Sequence, residues 1–250
     1  MNALVIAAAV VAGAVIGLGS GWLGVRLERI EKLHEEEEEE RLQYERDVHT
    51  AREAAVAAAE EPPTAEPWMG ERYSWTWLEF GLGPAATALG FGLFTMHAPV
   101  DAGLLIHLLW VAVFAHIVVF DLKHRLILNR VTYPAMVVAL GIAQVSPGLT
   151  FVRAVIGFAA IAVFFVLLNL ISRSSIGLGD AKLGALVGAV TGLSADPAHL
   201  GAAYAATYAI FLGAGAALLL LVTRLRHLKD PIPYGPFLCA GAAIILYQGP

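Results

Sequence analysis

Long apolar runs constrain the fold of this 250-residue chain more than any other feature. The runs at 102–120 and 200–222 each lack Asp, Glu, Lys and Arg. A helix of about 20 apolar residues spans the roughly 30 Å hydrocarbon core of a bilayer. Because 58% of the residues are hydrophobic and only 15% are charged, a soluble globular domain is excluded. The sequence predicts an all-α polytopic membrane protein.

The apolar runs predict eight transmembrane helices. They cover residues 3–24, 77–97, 102–120, 131–146, 153–171, 182–195, 200–222 and 236–248. This pattern divides the chain into a first transmembrane helix (1–24), a cytoplasmic helical segment and linker (25–76) and a seven-helix membrane domain (77–250). Gly-rich runs in the first, second and seventh spans favour close packing between helices.

The basic residues predict how these helices are oriented. No basic residue precedes the first apolar run, and Arg26 and Arg29 follow it, which is the reverse of a secretory signal peptide. With the N-terminus outside, 15 of the 16 basic residues fall in cytoplasmic segments and only Arg153 does not. Those segments are 25–76, 121–130, 172–182 and 223–235. The positive-inside rule therefore predicts that both chain termini lie outside.

The segment 25–76 differs in composition from the rest of the chain. It contains six consecutive glutamates, Glu35 to Glu40, within a stretch rich in good helix formers, so we predict a solvated helix followed by a proline-containing linker. The segment has no nucleotide-binding or metal-binding pattern, and no nucleic acid partner is predicted. The single cysteine, Cys239, lies in an apolar run, which excludes a disulfide or a cysteine-based zinc site within one chain.

Two aspartates at predicted cytoplasmic helix ends are the first candidates for chemistry, since ionisable residues at membrane depth are usually functional. Asp121 opens the string "DLKHRLILN" after the third span, and Asp180 lies in "GLGDAKLG" after the fifth. If the two carboxyl groups converge, one holds a proton at neutral pH while the other is ionised. Such a pair can take a proton from water and donate one to a peptide carbonyl, which is aspartic-protease chemistry.

Structural roles for both aspartates remain open on spacing alone. Asp180 follows a glycine and precedes a helix, so it could be an N-cap. Asp121 and Arg125 are four residues apart, and an ion pair between them would oppose proton sharing. His107 and His116 are nine residues apart, which places them on opposite faces of one helix and predicts two isolated, packed histidines.

Four strings together resemble the type IV prepilin peptidases, a family of GxGD-type intramembrane aspartyl proteases. "GLGDAKLG" resembles the GxGDxKL signature, and "DLKHRLILN" resembles the family's other aspartate segment. "PIPYGPFLCAGA" is similar to a C-terminal Ile-Pro-Phe-Gly-Pro-Phe-Leu stretch, and "GLGSGWLGVRL" to part of the first helix. The resemblance is loose over residues 1–27 and good over 100–250.

This resemblance implies eight spans in the cytoplasmic (inner) membrane and an active site facing the cytoplasm. It implies cleavage of the short, charged leader from prepilins or pseudopilins, with water and two aspartates and without a cofactor or metal. Asp121 and Asp180 align with the catalytic aspartates. The other matched positions are Gly177, Gly179 and Lys182 in the signature and Arg125 and Asn129 in the first segment. The sequence specifies neither the prepilin nor the oligomeric state.

Two positions depart from the family pattern. Leu128 occupies the place of a proline that usually stands beside a helix start. Many members also carry two Cys-x-x-Cys pairs in a cytoplasmic loop, which bind zinc and accompany N-methylation of the processed pilin. Here that loop is 25–76 and contains no cysteine. The usual zinc site is therefore excluded, and the sequence argues against methyltransferase activity.

Two functions of other classes are also compatible with the pattern. One is a catalytically inactive membrane scaffold for pilus or secretion-system assembly, which the separation of the two carboxyl groups would distinguish from an enzyme. The other is a transporter that binds a proton or cation at the aspartates. A transporter is expected to place its site near the bilayer midplane, and no acidic residue lies mid-span in this chain.

Overall fold

The computed structural model describes residues 3–30, 33–57, 77–171, 177–223 and 233–249. Within these ranges the chain is helical and contains no strand, so the predicted all-α class is confirmed. The helices are α1 (Ala3–Ile30), α2 (Leu33–Ala57), α3 (Gly83–His97), α4 (Ala102–His124), α5 (Asn129–Ile142), α6 (Phe151–Ile171), α7 (Leu178–Thr191), α8 (Gly201–Val222) and α9 (Gly235–Gln248). A π-helical turn, Leu78–Leu82, leads into α3.

Each predicted span overlaps a helix, but the helices differ in length. Four are long and apolar enough to cross a membrane: Ala3–Glu28, Ala102–His124, Phe151–Ile171 and Gly201–Val222. The other four, α3, α5, α7 and α9, have 14 or 15 residues. At 1.5 Å per residue these reach about 21 Å, short of a bilayer core. The chain has the helices of a membrane protein, while the count of eight spans and the position of the termini stay predictions.

The predicted helix in segment 25–76 is present. α1 continues past the predicted end at residue 24 to Ile30, and α2 begins at Leu33. α2 is polar and solvated, with an ion pair between Arg41 and Glu45 whose side chains are 57% and 55% exposed. The proline-containing linker lies outside the described residues.

Glycines allow neighbouring helices to approach closely. α6 and α7 meet where Gly157 faces Gly188, and a Cβ on either residue would overlap the backbone of the other. α1 packs against α3 in the same way, because a Cβ on Gly17 would lie 2.5 Å from the Cα of Pro84. The contact at Gly17 confirms the packing role predicted for the Gly-rich run of the first span.

α9 connects the two helices that carry the candidate aspartates. It packs against α4, whose last turn holds Asp121, and against α7, whose first turn holds Asp180. α7 itself is the most enclosed helix of this group, with Leu183, Leu186 and Val187 fully buried. The N-terminus of α9 therefore lies where the end of α4 and the start of α7 come together.

Candidate active site

Asp121 is buried in the last turn of α4, with 4% of its surface exposed. Its Oδ2 atom accepts a hydrogen bond of 3.1 Å from the backbone N–H of Gly235, the first residue of α9. α4 ends directly afterwards at Arg125, which has left-handed backbone (φ 53°) and donates its N–H to the Asp121 carbonyl at 2.8 Å. The carboxyl group is thus held by the backbone of another helix.

Arg125 does not neutralise Asp121. Arg125 is exposed and is the C-cap of α4, with left-handed backbone. Within the described part of the chain, the Asp121 carboxylate forms no ion pair with the Arg125 guanidinium. The structural alternative of an Asp121–Arg125 pair is therefore wrong. The left-handed turn is the physical reason, since it takes position 125 off the regular helix path on which a residue four places later would face Asp121.

Asp180 lies in the first turn of α7, where the N-cap is Gly177. The expectation that Asp180 could itself be the N-cap is therefore wrong, because the helix begins at Leu178. A carboxylate in the first turn interacts favourably with the helix dipole. Burial nevertheless raises the pKa of the Asp180 carboxyl above its ordinary value, while an interaction with the backbone of Gly177 acts in the opposite direction.

The surroundings of Asp121 and Asp180 overlap at the start of α9. The charge of Asp180 acts on Asp121, and it also acts on Tyr234, the residue before Gly235. Burial raises the pKa of the Tyr234 phenol to about 12, and the charge of Asp180 adds to this shift. The phenol therefore stays protonated at neutral pH, within reach of the charge of Asp180.

Lys182 and Asn129 are brought together by the packing of α5 on α7. The Lys182 ammonium donates a hydrogen bond of 2.9 Å to Asn129 Oδ1 and lies 5.5 Å from the centre of the Tyr133 ring. A cation at this distance from an aromatic ring is attracted to its face. These contacts connect the N-terminal ends of the two helices, and Lys182 follows Asp180 by two residues.

Gly177 and Gly179 are not required by the packing of the protein itself. Gly177 has φ −68°, a value that any residue adopts. A Cβ at position 177 would lie 3.7 Å from an Asp180 oxygen, and one at 179 would lie 3.5 Å from Ile127, both ordinary contacts. Among the described residues, therefore, none requires glycine at either position of this partly exposed turn.

Leu128 fits the backbone that a proline would need. It is the N-cap of α5 with φ −67°, close to the value at which a proline ring fixes this angle. Its side chain is buried, and its carbonyl accepts hydrogen bonds from the N–H and hydroxyl of Thr132. The departure from the family pattern therefore leaves the start of α5 intact.

The two histidines of α4 have separate neighbours, as their spacing predicts. His116 Nδ1 is 2.9 Å from the hydroxyl of Ser20 in α1. The ring of His107 packs against Phe94 in α3, with 5.4 Å between ring centres. The prediction of two isolated, packed histidines is confirmed.

The residues present do not fit the zinc site of the prepilin peptidases. Segment 25–76 has no cysteine, and the single cysteine, Cys239, is buried in α9. In the part of the chain that the structure describes, no three His, Cys, Asp or Glu side chains are grouped so that they could hold a metal ion. No step of a reaction is therefore assigned to zinc.

Apart from the family resemblance, no sequence pattern pointed to the roles of Gly235, Tyr133 or Tyr234 in this site. Each acts through a contact with a residue distant in the chain, so the spacing of residues carries no trace of it. The resemblance of "PIPYGPF" to the family's C-terminal stretch was the available signal for Tyr234 and Gly235. Tyr133 had no comparable signal.

Comparison with known proteins gave one match. Residues 108–222 match the model of the type IV leader peptidase family, and this segment contains both Asp121 and Asp180. The comparison with curated proteins and the comparison with solved structures found no match. The resemblance to prepilin peptidases is confirmed by the matched segment.

Proposed function

Because residues 108–222 belong to the type IV leader peptidase family, we propose that this membrane peptidase is an aspartic endopeptidase that removes the leader from type IV prepilins or pseudopilins. Cleavage takes place at the cytoplasmic face of the inner membrane. The basic residues predict that the C-terminal end of α4 and the N-terminal end of α7 lie at this face. The observation that supports the proposal is that the charge of Asp180 acts on the buried carboxyl group of Asp121, which the start of α9 holds through the Gly235 N–H.

In the proposed reaction the two aspartates share one proton, since ionising both carboxyl groups in one buried site is costly. The ionised carboxylate takes a proton from a water molecule, and the water oxygen attacks the peptide carbonyl. The protonated carboxyl donates its proton to the carbonyl oxygen, which gives a gem-diol. The carboxyl group that took the water proton then protonates the leaving amine while the other carboxylate takes a proton from the gem-diol, so the C–N bond breaks and no acyl-enzyme forms.

The other site residues have supporting roles in this proposal. The Gly235 N–H holds the Asp121 carboxylate, and the Lys182–Asn129 hydrogen bond holds the first turn of α7 that carries Asp180. Arg125 ends α4 through its backbone. Gly177 and Gly179 leave room for the backbone of the substrate, because packing against the described residues requires neither of them.

Replacement of either aspartate tests the proposal. We expect Asp121→Asn and Asp180→Asn each to reduce leader cleavage by about 10³-fold or more, as expected when a general acid or base is removed. The measurement is the rate of leader loss from a co-expressed prepilin, read by mass spectrometry, with membrane insertion checked in the same cells. Asp196→Asn, at an exposed aspartate in the loop before α8, is the matched control and should cleave normally.

Cleavage at the wild-type rate by either Asn variant would show that the dyad is wrong. If the wild type does not cleave, and pilus assembly proceeds equally well with both aspartates replaced, the chain is an inactive scaffold of the assembly machinery.

A further inference from the structure

A buried group of charged side chains joins the end of α1 to the end of α4. The Lys123 ammonium donates to Glu28 Oε1 at 2.9 Å and to Glu79 Oε1 at 2.7 Å. His124 Nε2 lies 2.7 Å from the same Glu28 oxygen. The four side chains are at most 5% exposed. We call these four residues, which come from α1, the π-helical turn and α4, the α1–α4 cluster.

The α1–α4 cluster is an expensive way to hold helices together. Each charge loses its hydration on burial, and apolar side chains of similar size would often stabilise a fold as well or better. Buried polar groups of this kind are best attested where they fix one register between helices. The α1–α4 cluster is therefore expected to fix the alignment of the helices that it joins.

A second polar contact shows that the alignment includes the register of α1 on α4. Ser20 in α1 contacts His116 in α4, and Glu28 contacts His124. Both partners advance by eight residues from the first contact to the second. The two helices therefore run in the same direction with matched polar contacts about 12 Å apart. A slide by one turn would break both contacts.

The α1–α4 cluster acts on the turn that carries Asp121. Lys123 and His124 follow Asp121 by two and three residues, so at about 100° per residue they project from other sides of the same turn. Asp121 is held from the α9 side by the Gly235 N–H, and Lys123 and His124 are held from the α1 side by Glu28. A rotation of the end of α4 would displace the Asp121 carboxylate.

We propose that the α1–α4 cluster positions Asp121 for catalysis, with Glu28 and Glu79 as positioning residues that do not touch the substrate. The helix α1 and the π-helical turn lie outside the matched segment 108–222, so the N-terminal part of the chain sets the geometry of the peptidase site. The catalytic consequence rests on the proposed function. The placement of Asp121 does not.

Glu28→Gln and Glu79→Gln test this role, because glutamine keeps the size of the side chain and removes the charge. We expect kcat for leader cleavage to fall about 10- to 100-fold with KM within about twofold, since a small displacement of a catalytic group has effects of this order. Lys123→Arg should retain more activity than Lys123→Met. Glu45→Gln, in the exposed Arg41–Glu45 pair, is the matched control and should behave as the wild type.

Hydrogen exchange of the Gly235 amide provides a readout that does not depend on activity. This amide donates to the Asp121 carboxylate, so its exchange reports whether the carboxylate is in place. We expect exchange at Gly235 to be about tenfold faster in Glu28→Gln and Glu79→Gln, with α6 and α7 protected as in the wild type. The control Glu45→Gln should leave exchange at Gly235 unchanged.

Unchanged kcat and unchanged Gly235 exchange in both glutamate variants would overturn the proposal. Faster exchange throughout α6 and α7 would also overturn it, because the cluster would then support the fold in general. If the wild type cleaves no prepilin, the proposed function fails by itself, and exchange at Gly235 still decides whether the cluster holds Asp121.

Discussion

Gly235 lies so close to Asp121 that its α-carbon has room only for a hydrogen atom on that side. A Cβ there would be 2.5 Å from Asp121 Oδ2 and 3.3 Å from a methyl carbon of Leu183. The same residue donates its N–H to that oxygen. Glycine is thus required by the close approach of the α9 backbone to the carboxylate, and not by its backbone angles, since φ is not positive at this position.

Gly235→Ala should therefore impair catalysis more than folding. The added methyl group pushes the Asp121 carboxylate away and weakens its hydrogen bond, so we expect leader cleavage to fall about 100-fold. Cleavage rate and melting temperature in detergent are the measurements. Gly215→Ala in α8 is the control, because a Cβ at that position meets no atom within 4 Å. Wild-type cleavage by Gly235→Ala would contradict the close contact.

The sequence was sufficient to predict the aspartates but not the residues that hold them. Asp121 and Asp180 stand out because carboxylates are rare beside long apolar runs. The bond from Gly235 to Asp121 spans 114 positions, and the bond from Lys123 to Glu28 spans 95. Such contacts are made by the packing of helices, which hydropathy and local spacing do not encode. Glu28 follows the first predicted span and Glu79 lies at the start of the second, and nothing in the sequence marked the contact that joins them through Lys123.

At the scale of helices, hydropathy predicted where each element lies but placed some ends wrongly. The predicted span 182–195 corresponds to α7 at Leu178–Thr191, four residues earlier. The string "GLGD" is too polar to count as apolar, yet its first residue, Gly177, is the N-cap in extended conformation and the helix begins at Leu178. Gly192, with φ +70°, then ends the helix ahead of the predicted boundary. This shift puts Asp180 inside the helix.

The half-buried carboxyl group of Asp180 in the first turn of α7 predicts a pH-dependent cost to stability. Burial raises the pKa of the Asp180 carboxyl, so folding disfavours its ionised form. The cost is absent below the ordinary pKa of aspartate and is fully present once the pH exceeds the raised value. Asp180→Asn should therefore melt at a higher temperature than the wild type at pH 8, and the difference should vanish at about pH 3–4.

Asp196 provides a control of opposite sign for this experiment. Hydrogen bonds from the Ala198 N–H and from His199 lower the pKa of its carboxyl, so ionisation of Asp196 favours the folded state. Asp196→Asn should not raise the melting temperature at pH 8. A melting temperature of Asp180→Asn equal to that of the wild type at every pH would show that the Asp180 carboxyl carries no burial cost.

At the scale of the whole molecule, the candidate site depends on parts of the chain beyond the matched segment. Residues 108–222 supply both aspartates, while α1 and α9 lie outside that segment. α9 contributes the Gly235 N–H, and α1 contributes Glu28. The family match therefore identifies the aspartate-bearing helices, and the contacts across the bundle show what places their ends.

The absence of cysteine from segment 25–76 predicts that this protein removes leaders without methylating the product. The usual zinc site cannot form there, and the proposed reaction uses only water and two carboxyl groups. With purified protein, a prepilin and a methyl donor, mass spectrometry should show a processed N-terminus without a methyl group. A metal chelator should change the cleavage rate by less than about twofold.

Asp121→Asn, which should leave the prepilin uncut, controls for contaminating peptidases. A methylated product, or loss of cleavage on chelation, would contradict this prediction.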